Sequence, residues 1–193
     1  MKVLVACEFS GTVRDAFIEQ GHDAVSCDLL PTEKPGLHYQ GDIRNMLSVD
    51  VWDLMIAHPP CTYIANSGVS WLYRKEGRWE QMREGARFFK MLLDTDIDKI
   101  CIENPIIHKY AVEIIGRRQD QVIQPWMFGH GEQKATCLWL KNLPPLEPTD
   151  IVDGREQRLH RLPPSKDRAK IRSMTYPGIA QAMAEQWSGV YDQ

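Results

Sequence analysis

The chain has 193 residues, 43% of them hydrophobic and 25% charged, enough apolar material for a full core, most simply as one domain. Its formal net charge of −3 excludes a generally basic nucleic-acid coat while leaving local patches open. No window approaches the roughly 18 uninterrupted apolar residues of a membrane span, and Lys2 interrupts the start too early for a secretory h-region, so a soluble protein is expected.

In chain order, short apolar runs alternate with helical patterns, which predicts a mostly parallel sheet flanked by helices. Lys2 to Cys7 reads as a buried strand, and Phe9-Ser10-Gly11 as a turn into a helix carrying Val13, Ala16, Phe17 and Gln20, with Gly21 as its cap. Ala24 to Asp28 is a second strand, Trp52 to Ala57 a third and Lys99 to Glu103 a fourth. A helix is expected from about Arg78 to Leu93, where Met82, Ala86, Phe89 and Leu93 recur at helical spacing and face a core. Val122 to Trp126 and Ala135 to Leu140 form a hairpin-like pair of the kind that closes the edge of a parallel sheet. Pro144, Pro145 and Pro148 then break the pattern into an irregular segment, and a final helix, Gly178 to Trp187, returns Ile179, Met183 and Trp187 to the core.

Cysteines at 7, 27, 61, 101 and 137 show no C-x-x-C spacing, and four lie in or beside apolar runs as small buried hydrophobes. Free thiols in a reducing, cytoplasmic setting are expected, and no metal site. Cys61 differs from the others. It sits in Ala57-His58-Pro59-Pro60-Cys61, directly after a strand, and forty-two residues later the next strand ends in Glu103-Asn104-Pro105. Two reactive groups thus end two buried strands, an arrangement suited to a thiolate attacking a pyrimidine ring whose edge a carboxyl group binds. The alternative for Cys61 is a buried loop thiol.

The first turn, Glu8-Phe9-Ser10-Gly11, places backbone N–H groups and a glycine at the carboxyl edge of the sheet, where nucleotide-like ligands bind. Asp28, ending the second strand, is placed to accept from two ribose hydroxyls, and Asp42 adds a third polar group; a helix cap or a solvated turn is the alternative for either aspartate. The chain lacks G-x-G-x-x-G and G-x-x-x-x-G-K-[ST], which disfavours dinucleotides and nucleoside triphosphates and leaves a nucleoside cofactor without phosphate.

Glu8-Phe9-Ser10-Gly11, Asp28, Asp42, Pro59-Pro60-Cys61 and Glu103-Asn104-Pro105 together resemble, in order and approximate spacing, the DNA cytosine carbon-5 methyltransferases that use S-adenosylmethionine. The resemblance runs from Lys2 to about Leu140 and resumes at Tyr176-Pro177-Gly178-Ile179-Ala180. It implies a Rossmann-like methyltransferase fold, doubly wound and mostly parallel with an antiparallel edge. It also implies that Cys61 adds to ring carbon 6 while Glu103 holds ring nitrogen 3. S-adenosylmethionine would lie against Glu8, Phe9, Ser10, Gly11, Asp28, Leu29, Asp42, Ile43, Pro59 and Ile179, and Pro60 and Asn104 would shape the substrate side.

The chain departs from that family in four places. His58 stands where the family has glycine, and Pro177-Gly178 where it usually shows glycine then asparagine. Gln133-Lys134-Ala135-Thr136-Cys137 resembles a base-binding strand but lacks its arginines, so Lys134 or a distant arginine substitutes. Only about thirty-five residues separate Leu140 from Tyr176, where the family inserts a long recognition domain. That segment is basic: from Arg155 to Arg172 seven Lys or Arg face Glu156 and Asp167, a local charge of +5 that leaves −8 elsewhere. Arg155, Arg158, Arg161, Arg168 and Arg172 could grip a phosphate backbone nonspecifically, or belong to a solvated loop. A second candidate contact is Asn66 to Trp79, where Trp71, Tyr73 and Trp79 alternate with Arg74, Lys75 and Arg78, as a stacking surface or a lid.

The reading is a compact methyltransferase acting on cytosine in single- or double-stranded DNA, with low sequence specificity and an economy that points to phage origin. Two rivals stay open: a catalytically impaired, partner-dependent binding module, and an enzyme acting on RNA or a free pyrimidine nucleotide. A homodimer or partner protein would supply a missing DNA grip, although nothing in the sequence requires one.

Overall fold

The computed structural model describes residues 1–165 and 168–189. Seven strands form one sheet: β1 (Lys2–Ala6), β2 (Asp23–Asp28), β3 (His38–Gln40), β4 (Leu54–Ala57), β5 (Lys99–Asn104), β6 (Gln121–Ile123) and β7 (Thr136–Lys141), in the order β3-β2-β1-β4-β5-β7-β6. The first five strands pair in parallel and β7 runs antiparallel to both β5 and β6. Val3 to Ala6 and Leu54 to Ala57 are wholly buried, the unbroken apolar run that a central parallel strand covered on both faces requires. The strand order reverses between β1 and β4, which opens a crevice at their carboxyl ends.

Around the sheet lie α1 (Thr12–Glu19), α2 (Ile43–Met46), α3 (Arg78–Leu93), α4 (Lys109–Ile115), α5 (Arg158–Arg161), α6 (Arg168–Ser173) and α7 (Pro177–Ser188). Val13 and Phe17 of α1 join Ile179, Met183 and Trp187 of α7 over one face. Met82, Ala86 and Phe89 of α3 join Ala111 and Ile115 of α4 over the other. Gly178 opens α7 where nothing larger fits: a Cβ there would lie 2.0 Å from the Phe128 carbonyl oxygen.

The expected strands, the antiparallel edge, α3 and the returning α7 are all present, with some revisions. The run from Val122 to Trp126 is a strand only to Ile123, because Pro125 lacks the N–H a ladder needs and opens a 3-10 turn, Pro125–Met127. Trp52 to Ala57 narrows to β4 and is the fourth strand, since the short polar β3 precedes it. The segment between Leu140 and Tyr176 is not wholly irregular but carries α5 and α6.

Arg14 has no counterpart in the sequence expectations. It is fully buried, and its guanidinium donates to Asp15 Oδ1 at 2.8 Å, Ser26 Oγ at 3.2 Å, Thr32 Oγ1 at 3.3 Å and the carbonyls of Lys34 and Pro35 at 3.3 and 3.0 Å. It ties the loop after β2 to α1. Arg14→Met removes these hydrogen bonds together with the ion pair to Asp15, and we expect about 3 kcal/mol of lost stability, readable as a lower midpoint in thermal or urea unfolding.

Candidate active site

His58, Pro59, Pro60 and Cys61 follow β4 at the crevice. Ala57 pairs with Ile102, so the next residues, His58 and Glu103, come side by side, with His58 Nδ1 3.1 Å from Glu103 Oε2. The amide of Asn104 donates to the Pro59 carbonyl at 2.8 Å and clamps the Pro-Pro-Cys loop to the end of β5. The Cys61 carbonyl then accepts from Ile64 and Ala65 N–H at 3.1 and 2.9 Å, closing a turn under the thiol. Because β7 runs antiparallel, it begins where β5 ends, and that brings Lys134 to the same edge.

The charges at this edge are uneven. Burial alone would push the Glu103 carboxyl up, but the His58 hydrogen bond and charge, with Lys134 and the Thr175 hydroxyl, hold it at about 2. His58 is raised above its ordinary value: burial disfavours the charged ring, and Glu103 and Glu8 outweigh it. Each charge thus favours the other, Glu103 the protonated ring and His58 the ionised carboxyl. Burial pushes the Cys61 thiol up and Glu103 adds to that, while Lys134 and Arg172 pull it down. The net shift is upward: the backbone hydrogen bond at Cys61 and the two cations only partly offset burial.

The edge expected to take a nucleoside ligand is built on β1 and β2. Cys7, just after β1, has φ of 58° and Gly11 has φ of 70°, so the chain turns sharply at the sheet edge. Both carboxylate oxygens of Glu8 are occupied: Oε1 accepts from Val13 N–H at 2.7 Å and from Ser10 Oγ at 3.1 Å, and Oε2 from Arg14 N–H at 3.2 Å. Glu8 and Ser10 thus cap α1 and fix the turn. Asp28 Oδ1 accepts from Leu30 N–H at 2.9 Å. Asp42 caps α2 through Arg44 N–H at 2.9 Å and pairs with the Arg44 guanidinium, the helix-cap alternative. Asp28 and Asp42 both act on Cys7, which burial first and then these carboxylates push up to about 12. Leu29 lies open beside them at 73% exposure, whereas Ile43 is buried under α2 and Ile179 in the α7 core.

The end of the basic segment and the residues after it, 168–175, cross this edge as a strap. Lys170 Nζ pairs with Glu33 at 2.5 Å and sits 5.4 Å from the Phe9 ring centroid, and Lys134 Nζ donates to the Met174 carbonyl at 3.4 Å. The Thr175 hydroxyl donates to Glu103 Oε2 at 3.0 Å. Beneath lies a cavity of about 30 Å³, lined by Cys7 to Ser10, His58 and Ser173 to Thr175. That is room for little more than a water, far below a ligand pocket. The buried His58 Nε2 has no hydrogen-bond partner among the described residues, an orphan that an acceptor on a bound molecule would satisfy.

The structure therefore gathers Cys61, Glu103, Asn104, Pro59, Lys134 and Arg172, with Glu8, Phe9, Ser10 and Gly11 adjoining. Pro60 is exposed in the Cys61 loop. Arg155 and Arg158 are engaged internally: Arg155 stacks 3.8 Å over Trp126, and Arg158 pairs with Glu132 at 2.7 Å. Arg161 is exposed on α5 and Arg168 half-buried on α6, while Lys166 of the basic run lies outside the described residues. In the second candidate contact Trp71 and Tyr73 are 52% and 67% exposed, and Tyr73, Trp79 and Tyr110 stack edge to face. Two site residues were not expected, His58 as the partner of Glu103 and Thr175 as its second donor. A titratable side chain one residue past a strand, beside the next strand's acid, was the available signal for His58.

Scanned against protein-family models, the chain matches none, and no curated protein matches it. Among solved structures it is similar to Entamoeba histolytica methyltransferase EhMeth, with 15% identity over 79% of this chain and a TM-score of 0.50. A protein from E. coli described as a DNA modification methyltransferase encoded within prophage Cp aligns at 13% identity over 84% of this chain, with a TM-score of 0.49. The chain spans only 57% and 55% of those two proteins' lengths. With its seven-stranded, mostly parallel sheet and antiparallel edge, the chain has a Rossmann-like fold of the kind found in methyltransferases.

Proposed function

We propose that the protein transfers a methyl group from S-adenosylmethionine to carbon 5 of cytosine in DNA through a covalent Cys61 adduct. The observation that carries this is the clamp from Asn104 to Pro59, which holds the Cys61 loop against the strand end bearing Glu103. The Cys61 thiolate adds to ring carbon 6 while Glu103 holds ring nitrogen 3. Carbon 5 becomes nucleophilic, and after it is alkylated, loss of its proton with elimination of Cys61 restores the aromatic ring. S-adenosylmethionine, when bound, supplies the methyl group. The turn from Cys7 to Gly11, the Asp28 and Asp42 carboxylates and the orphaned His58 Nε2 fit such a ligand once Ser173 to Thr175 move aside. A duplex substrate must be flipped out of its stack to reach Cys61. The short segment in place of a recognition domain supports low sequence specificity, and five free cysteines suit a reducing compartment. Among the described residues no helix is long and apolar enough to cross a membrane.

Trapping with DNA containing 5-fluorocytosine, in the presence of cofactor, tests nucleophile, base and cofactor together, because fluorine cannot leave as the proton does. A denaturation-resistant adduct is expected. No adduct with single-stranded, double-stranded or RNA substrate, and none after partner proteins are added, would sink the reading. A separate prediction concerns the strap: Thr175→Val removes one hydrogen bond that closes the site, about 1 kcal/mol, so S-adenosylmethionine should bind about fivefold more tightly by calorimetry.

A further inference from the structure

Resting on that cytosine chemistry, we infer that His58 is the proton donor of the site, delivering a proton through Glu103 to ring nitrogen 3 as Cys61 adds to carbon 6. Ring nitrogen 3 of neutral cytosine offers a lone pair, so a bare carboxylate meets it acceptor to acceptor and a proton must lie between them. The structure places one source against Glu103. The His58 N–H donates to the Ala6 carbonyl at 2.9 Å, which extends the β1–β4 register by one residue and fixes the backbone. Its ring, only 11% exposed, puts Nδ1 3.1 Å from Glu103 Oε2. The Thr175 hydroxyl on the same carboxylate is a hydrogen bond donor but far too weak an acid to release its proton.

The step balances without another reactant. The bond from sulfur to carbon 6 forms, the 5,6 double bond opens, and its electrons spread to nitrogen 3, which becomes basic. The Nδ1–H bond breaks and its proton enters the carboxylate, and the resulting carboxyl group protonates nitrogen 3. Glu103 ends as it began and His58 is left neutral. Elimination of Cys61 runs the relay backwards and recharges the imidazole. The groups facing His58 from the surrounding elements are Glu103 on β5, Glu8 after β1 and Lys134 before β7, with Cys7 and Thr175 in the cavity wall. The two carboxylates favour the charged ring and Lys134 opposes it.

The test needs no cofactor. Addition of Cys61 lets carbon 5 take a deuteron from heavy water, and reversal releases cytosine with its carbon-5 hydrogen exchanged. Exchange by the wild-type chain should decline on the alkaline side as His58 deprotonates. His58→Asn keeps a donor towards Glu103 but cannot titrate, and its exchange should be about 100-fold slower at neutral pH with the alkaline decline gone. A wild-type rate and an unchanged decline in His58→Asn would overturn the role. Should that variant not fold, the imidazole NMR titration of the wild-type chain decides: a ring already neutral at about pH 7 also overturns it. A charged imidazole without any wild-type exchange or fluorocytosine adduct would instead bring down the cytosine reading beneath it.

Discussion

Cys61→Ala is expected to abolish the covalent adduct with fluorocytosine DNA and all carbon-5 exchange, while leaving the fold intact. The thiol sits in a loop whose shape depends on backbone groups, the Cys61 carbonyl and the clamp between Asn104 and Pro59, and none of these needs sulfur. Unfolding midpoints should therefore shift by less than about 1 kcal/mol. Among the described residues the other thiols are poorly placed to replace it: Cys7 is pushed up to about 12 by burial and nearby carboxylates, and Cys27, Cys101 and Cys137 are buried within strands. Mass spectrometry of the trapped complex decides the matter. An adduct that survives in Cys61→Ala would assign the chemistry to another residue.

Glu103→Gln should lower transfer and exchange by about 10³-fold, because a carboxamide neither passes a proton nor balances an imidazolium. The same substitution has a signature in stability. Glu103 has an ordinary value of 4.5 and is held at about 2 in the folded chain, so it stabilises the fold above about pH 4.5, an effect lost as pH falls through about 2. That shift corresponds to roughly 3 kcal/mol. His58, raised above 6.5, contributes below that value and loses its contribution as pH rises through the raised one. Both describe one ion pair, so the interaction is strongest between about pH 4.5 and 6.5. Wild-type stability should fall on either side of that window, and Glu103→Gln should flatten both limbs in urea titrations across pH. Two unchanged limbs in the variant would mean that the pair does not govern them.

The parts of the fold that could be read from the sequence were those written in long apolar periods. β1, β4 and β5 are buried on both faces, and α3 shows its stripe over four turns, so their patterns stood clear. β3 is three polar residues on an edge, His38 to Gln40, and pairs only with β2, so no alternation marked it. α4 is seven residues with Ala111 and Ile115 as its buried pair, too short to show a period. In the site, Cys61 and Glu103 could be paired because each ends an apolar run. Thr175 could not, because it meets Glu103 across 72 residues through a strap whose path no periodicity records. Arg14 was hidden for a related reason: Thr32, Lys34 and Pro35 lie on a loop that only the folded chain brings around it.

The strap is held differently at its two ends. At its carboxyl end it runs into α7, where Tyr176 donates to Glu132 at 2.7 Å, the Gly178 N–H donates to His130 at 3.0 Å, and Gly178 is wedged against Phe128. At Lys170 the ion pair with Glu33 is a partly exposed one, worth at most about 1 kcal/mol. The two anchors differ in kind: Gly178 is wedged by backbone against Phe128, whereas Lys170 and Thr175 hold by side chains alone, so a ligand entering this edge competes with single side-chain contacts such as Thr175 on Glu103 and not with the packing of α7.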